Sequence, residues 1–313
     1  SSHADYTTDW VKSELGQRYD ELKDRAWANL LRSSDVTSRL SSAAQKRLES
    51  EFDQIKKLEY TVMNVRGFLC GLMDSQSQIQ EDMICDVFDL IGKYHWDNVT
   101  LAMGWKSNSK HRTLAMKVKT TRFILPGHGT ESWQSGLSWD SERLLSDFDK
   151  AFSILEGVPQ PEISLVSIFR NHFKALCDGK RIYGSHFSVR YWPGAGTIHF
   201  FPTRPDLIDR LNRVVGKKRA WLPPVDTMAT DAFWSAYDKS EKFDKEVVKE
   251  ISKHKRSWWD NPFDNLRNEE RREAAENQIL DAIGTVLERN GIRVDNLLAD
   301  ATPAHPQLEL LAA

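Results

Sequence analysis

Apolar and polar positions alternate most clearly from Phe187 to Trp192 and again from Thr197 to Phe201, the period-two pattern of half-buried strands. Pro193-Gly194 between them offers the fixed φ and the freedom of φ that a turn requires, so residues 186–202 are predicted to form a β-hairpin. With residues 193–196 as the loop, Trp192 faces Thr197 and Arg190 faces His199. Val189, Tyr191, Ile198 and Phe200 then line one face, while His186, Ser188, Arg190 and His199 share the other. A further alternating strand is predicted over 114–125, ended by Pro126.

Elsewhere the period is helical. Residues 8–31 carry Trp10, Leu15, Tyr19, Leu22, Trp27 and Leu30 at helical spacings. Ser42-Ala-Ala-Gln45 fits a capping box ahead of Leu48, Phe52, Ile55 and Val62, and Ser77-Gln-Ile-Gln80 fits another ahead of Met83, Val87 and Leu90. Ser33-Ser34 and Asp74-Ser75 read as breaks. Helices are predicted over 142–155 with Gly157 as stop, over 163–176, over 205–215 with Gly216 as stop, and over 231–257. A last helix over 268–290 ends on Gly291 and Ile292 in the manner of a Schellman motif. The expected class is α+β, with helical N- and C-terminal segments around a central, mostly antiparallel β-sheet. Four regions follow: a helical one over 1–97, a basic α+β core with the hairpin over 98–224, a helical one over 225–298, and a flexible tail over 299–313.

Charge sharpens this division. The formal net charge of −2 hides an asymmetry: residues 98–222 hold 19 Lys or Arg and 10 Asp or Glu, and the rest of the chain holds 24 and 35. Such a segment fits a nucleic-acid surface, or a basic sheet on which acidic helices pack. Three cysteines, odd in number and without CxxC spacing, argue against a disulfide framework and favour a reducing, cytoplasmic setting. No apolar run reaches membrane-spanning length. The chain does not begin with Met, so a removed leader stays open.

The stretch Tyr191-Trp-Pro-Gly-Ala-Gly-Thr-Ile-His-Phe-Phe-Pro202, followed by residues 207–216 and Trp221-Leu-Pro-Pro224, resembles the bacterial family called domain of unknown function 4942. Gly104-Trp-Lys-Ser-Asn108 and Arg122-Phe-Ile-Leu-Pro126 are similar to its upstream landmarks, and the resemblance covers roughly residues 87–224. It implies a DNA-centred setting on prophages, plasmids and other mobile elements. It brings no established catalytic residues, so none is carried over.

Two groups of cations are candidate phosphate contacts. Residues 98–130 lack any acidic side chain and contain Trp105, Lys106, Lys110, Arg112, Lys117, Lys119 and Arg122, where cations would release counterions and Trp105 would stack on an exposed base. Arg210, Arg213, Lys217, Lys218 and Arg219 form the second group; capping of a helix C-terminus explains its lysines as well. The hairpin offers His186, Arg190 and His199 as candidate catalytic groups, with His128 in its glycine loop nearby in role. A structural hydrogen-bond ladder across the strands competes with that reading. No metal site and no cofactor is expected: the histidines lack an i, i+4 pair, and GxGxxG, P-loop and GxSxG motifs are missing. The expected function is a nucleic-acid-associated accessory protein of a prophage or plasmid, in host–element conflict or DNA maintenance, with DNA as the partner. The alternatives are a nucleic-acid-processing enzyme using the hairpin cluster, and an inhibitor module that binds a protein partner through its acidic helices. No membrane association is expected, and the oligomeric state stays open.

Overall fold

The computed structural model describes residues 2–33, 40–94, 96–106, 112–129, 136–253 and 261–293. Lys110 and the expected tail lie outside them. Helices α1 (Ser2–Ser33), α2 (Ser42–Ile55) and α3 (Val62–Tyr94) come first. Strands β1 (Val99–Met103), β2 (Leu114–Val118) and β3 (Phe123–Pro126) follow, then α4 (Trp139–Glu156) and α5 (Leu165–Cys177). Next come β4 (Ile182–Tyr183), β5 (Phe187–Trp192) and β6 (Thr197–Pro202). The chain closes with α6 (Pro205–Lys218), α7 (Asp231–Lys253), α8 (Pro262–Asn265) and α9 (Glu269–Arg289). The fold is α+β, helical at both ends, with a two-stranded sheet β1-β2 and a four-stranded sheet ordered β3-β6-β5-β4. The chain forms two compact units, each made of two stretches: residues 1–89 with 127–197, and residues 90–126 with 198–313.

In the first unit, the indole of Trp27 is fully buried and meets Phe52, Tyr60 and Phe68 edge-on at 6.4, 5.1 and 5.9 Å. Its Nε1–H donates to the Leu58 carbonyl at 3.1 Å, so the polar edge is satisfied as the apolar body is buried. Helix α2 starts one residue earlier than its capping box suggests. Ser41 is the N-cap, accepting from the Ala44 amide at 3.2 Å, while the Ser42 amide donates to Asp147 at 2.9 Å. Helix α3 runs unbroken through Asp74-Ser75 and the Ser77 box, because Ser75 Oγ donates to the Leu72 carbonyl in its own helix instead of starting a new one. Phe148 and Phe152 of α4 pack on Phe187, and Phe169 and Phe173 of α5 pack on Tyr191. The hairpin turn takes its positive φ at Gly196, not Gly194. A Cβ on Gly196 would come within 2.8 Å of the Gly129 amide, so glycine is required there by conformation and by space.

Asp149 in this unit is buried and accepts from the Leu165 amide at 2.8 Å, the first residue of α5. Burial pushes its carboxyl up to about 7 against these bonds. The folded pKa lies above the unfolded one, so the folded state binds more protons between about 4 and about 7. Stability is therefore lost as pH rises through that window. Asp149→Asn, which still accepts the amide, is expected to gain on the order of 2–4 kcal/mol over the parent at pH 8 and little at pH 4. Urea midpoints of the two proteins across pH check this; parallel curves would refute it.

In the second unit, β1 and β2 pair antiparallel from Val99 opposite Val118 to Met103 opposite Leu114. Every residue of β1 is buried, with α7 and α9 packed against it, and α6 packs on β2. Two asparagines tie the strands down. Asn212 of α6 accepts from the Val118 amide at 2.8 Å and donates to the Val118 carbonyl at 2.9 Å. Asn98 donates to the carbonyls of Ile91 and Ile124 and accepts from the Ile124 amide at 2.7 Å. The single strand expected over 114–125 is two strands. Glu241 breaks it by accepting from the Thr120 amide and from the Thr120 and Thr121 hydroxyls. Gly216 lies inside α6, where a Cβ would meet Leu222 at 2.7 Å; the helix ends on Arg219. The last helix ends as expected, with Gly291 at φ 77° and the Ile292 amide donating to the Leu287 carbonyl at 2.9 Å.

Candidate functional site

Five of the expected phosphate contacts of the second unit have acidic or carbonyl partners within that unit. Lys117 is buried on β2, its Nζ 2.7 Å from the Tyr237 carbonyl and 4.2 Å from the Tyr237 ring centre. Burial pushes its amine below the ordinary range. Lys119 pairs with Asp244 at 2.8 Å and Arg112 with Asp281 at 2.5 Å. Arg213 holds Asp209 at 2.8 Å and Asp238 at 3.0 Å, and Lys217 holds Asp226 at 3.0 Å. Carboxylates from α6, α7 and α9 thus answer the cations of the basic segment, the second of the two arrangements its charge asymmetry suggested. Arg122 and Arg210 are exposed on the same unit.

A different corner of that unit keeps cations and aromatic rings together at the surface. The Trp105 amide donates to the Trp221 carbonyl at 2.9 Å, and Trp105 Nε1–H donates to the Ala220 carbonyl at 3.0 Å. Two distant segments are joined there edge to edge. Both indoles are half-buried, their inner edges packed on the core of α7, α9 and β1. Lys106 Nζ lies 5.6 Å from the Trp105 ring centre, and the Arg219 guanidinium lies 5.2 Å from that of Trp221. Lys217 and Lys218, both exposed, precede Arg219 in the last turn of α6.

The backbone of this corner is demanding. Ala220 has φ 55°, a left-handed conformation that an L-residue holds only at a cost of about 1–3 kcal/mol. The Trp221 and Leu222 amides both donate to the Gly216 carbonyl, which fixes the reversal after α6. Gly104, preceding Trp105, donates to the Thr113 carbonyl at 2.7 Å, and a Cβ on it would overlap Thr113 Oγ1 at 2.1 Å. Glycine at 104 and 216 and strain at 220 serve one result: the Trp105 and Trp221 segments meet. Sequence reasoning placed Trp105, Lys106 and Arg219 in two separate groups and left Trp221 out of both. The signal that relates them is the pair of Gly and Trp landmarks, Gly104-Trp105 and Gly216 with Trp221.

The hairpin histidines and arginine are placed differently from one another. His186 is buried in the first unit beside the Phe152 ring, and its Nε2–H donates to Glu156 at 2.9 Å. Its Nδ1 is buried without a hydrogen-bond partner. The His186 side chain is 1% exposed and turned toward Glu156. Arg190 is exposed on β5, while Val189 and Tyr191 beside it are buried; Ser188 is buried too, accepting from Arg181 Nε at 2.8 Å. His199 on β6 is half-buried, between the buried Ile198 and Phe200. His128 is buried, and desolvation pushes its imidazole down, so it is neutral near pH 7. Its Nδ1 lies 2.8 Å from Ser141 Oγ, and its carbonyl accepts the Tyr191 hydroxyl at 2.6 Å. Ser138, exposed at the start of α4, donates to the same Ser141 oxygen at 3.0 Å, so these bonds pin α4 to the start of the 127–129 loop.

The matched region contains these landmarks. A family model described as Domain of unknown function (DUF4942) matches residues 19–221, and the chain belongs to that family. No curated protein and no solved structure matches it. Among the described residues, no helix is long and apolar enough to cross a membrane.

Proposed function

We propose that this protein is a nucleic-acid-associated accessory factor, acting in the cytoplasm in the mobile-element setting its family resemblance implies, and that it holds single-stranded nucleic acid on the Trp105–Trp221 corner. One observation carries the reading: the Trp105 and Trp221 segments are bonded together through backbone carbonyls, each half-buried indole has a cation over its ring, and Lys218 lies at the adjoining helix end. Indoles and guanidinium planes accept the faces of unstacked bases irrespective of sequence, and the cations answer the phosphates that link them. The buried Lys117 of β2 and the paired Lys119 after it leave that strand to the fold.

Anisotropy of a labelled single-stranded DNA, with the matching RNA and duplex as competitors, tests this. Lys106→Ala and Arg219→Ala are each expected to weaken binding about 3- to 10-fold at low salt and to flatten the log affinity against log salt slope by about 0.7 per lost phosphate. Trp221→Ala removes a stacking face worth about 1–3 kcal/mol per base. Lys117→Met should bind as the parent does. Salt-insensitive or absent binding by the parent, or parental affinity in both cation variants, refutes the reading. Preference for the duplex would refute its single-strand part.

A further inference from the structure

We propose that α1 is a self-association surface on which the α1 of a second copy of this chain docks antiparallel. Trp27 and Leu31, near the C-terminal end of α1, are buried in the first unit. Further toward the N-terminus the helix leaves its apolar side chains in water: Trp10 is 66% exposed, Leu15 62% and Leu22 64%, with Val11 and Tyr19 exposed as well. Val11, Leu15, Tyr19 and Leu22 follow at spacings of four, four and three, which puts them on one side of the helix, with Trp10 flanking. Scattered exposed apolar residues need no explanation, but an ordered stripe on a helix does.

Area and charge both point to a second copy as the occupant. With aromatic side chains of about 150–250 Å², the exposed fractions of these five residues give roughly 500–600 Å² of apolar surface. Two copies would cover roughly 1,000–1,200 Å², at the threshold of about 1,000 Å² for a specific interface, before any flanking contact is added. A two-fold axis at Gly16 sets Glu14 against Arg18 of the second copy, twice by symmetry, on one flank of the apolar stripe. A parallel pair would instead align each charge with its own copy. Within one chain Arg18 bonds Glu14 at 3.0 Å; such an exposed pair is weak and exchanges readily for an intermolecular one.

Sedimentation of the full chain over a concentration series is expected to show a monomer–dimer equilibrium. Leu15→Glu with Leu22→Glu should weaken it at least tenfold, with an unchanged circular-dichroism spectrum because both positions are already in water. Direction is read separately. With Cys70 replaced by Ser, Val11→Cys and Leu22→Cys chains should form a disulfide-linked dimer when mixed under oxidation, and neither should do so alone. A parent that stays monomeric at its highest soluble concentration overturns the proposal, as does a double-Glu chain that dimerises like the parent. Crosslinking of each cysteine chain with itself but not with the other overturns the antiparallel arrangement.

Discussion

Lys117→Glu is expected to destabilise the 90–126/198–293 unit by about 3–5 kcal/mol, not to trim a ligand contact. The position is 5% exposed, and its ammonium donates to the Tyr237 carbonyl from beneath α7. A carboxylate there would face an acceptor it cannot bond and would sit in the field of Asp209, Asp238 and Glu241, which at present favour the ammonium. Leaving a buried charge without a partner costs about 3–5 kcal/mol, a large share of the 5–15 kcal/mol that holds a typical domain together. Lys117→Met keeps the aliphatic stem and leaves the Tyr237 carbonyl with Ser240 Oγ at 2.8 Å, so it should fold with a loss under about 2 kcal/mol. Urea unfolding of both variants checks this. The Met variant also reports on pH. The folded amine has the lower pKa, so the unfolded chain binds more protons as pH approaches the ordinary lysine range. The parent should gain stability with rising pH there, and Lys117→Met should not. A Glu variant as stable as the Met variant would return Lys117 to the surface and to the list of phosphate contacts.

Local pattern carried much of the fold because capping and periodicity are local interactions. The stop of α4 at Gly157, the Schellman end of α9 and the apolar positions of β5 and β6 all follow from residues within a few places of each other. The same locality misled at Ser75 and Gly216. A serine that bonds back within its own turn permits a helix to continue, and a glycine that packs under Leu222 sits within a helix instead of ending it. Lys117 and Lys119 look alike in sequence, yet one is buried under α7 and the other is paired with Asp244. Their partners lie over a hundred residues away, where no periodicity reaches. The candidate site was legible only in pieces for that reason. Trp105 stood out for its basic neighbours, but its partnership with Trp221 is made by two backbone carbonyls, and carbonyls have no sequence signature. The interleaving of two stretches in each compact unit is likewise a property of long-range contacts.

Asn98→Leu is the second substitution expected to have a large effect, and its position had no sequence signal. Asn98 is 1% exposed and makes three hydrogen bonds with one amide group: to the Ile91 carbonyl near the end of α3, and to both the carbonyl and the amide of Ile124 on β3. Its own carbonyl accepts from the Lys119 amide at 3.0 Å, so the residue joins a helix end, a strand and a turn at one point. Leucine is close in size and more apolar, so area alone favours it. The deciding quantity is the set of backbone groups left behind. Two carbonyls and one amide would lose their partners in a largely buried site, at about 1–3 kcal/mol each. A loss of about 3–6 kcal/mol is expected in urea unfolding, against a gain from apolar burial of at most about 1–2 kcal/mol. Asn98→Asp separates the contributions. It keeps the oxygen that accepts from the Ile124 amide and removes the donors to the two carbonyls, while adding a charge that burial disfavours. It should destabilise as well, and more at neutral pH than near pH 4, where the acid is protonated and can donate once. A Leu variant within 1 kcal/mol of the parent would mean that water or a shift of β3 re-pairs these groups, and the three bonds would lose their place as the fastening of the strand.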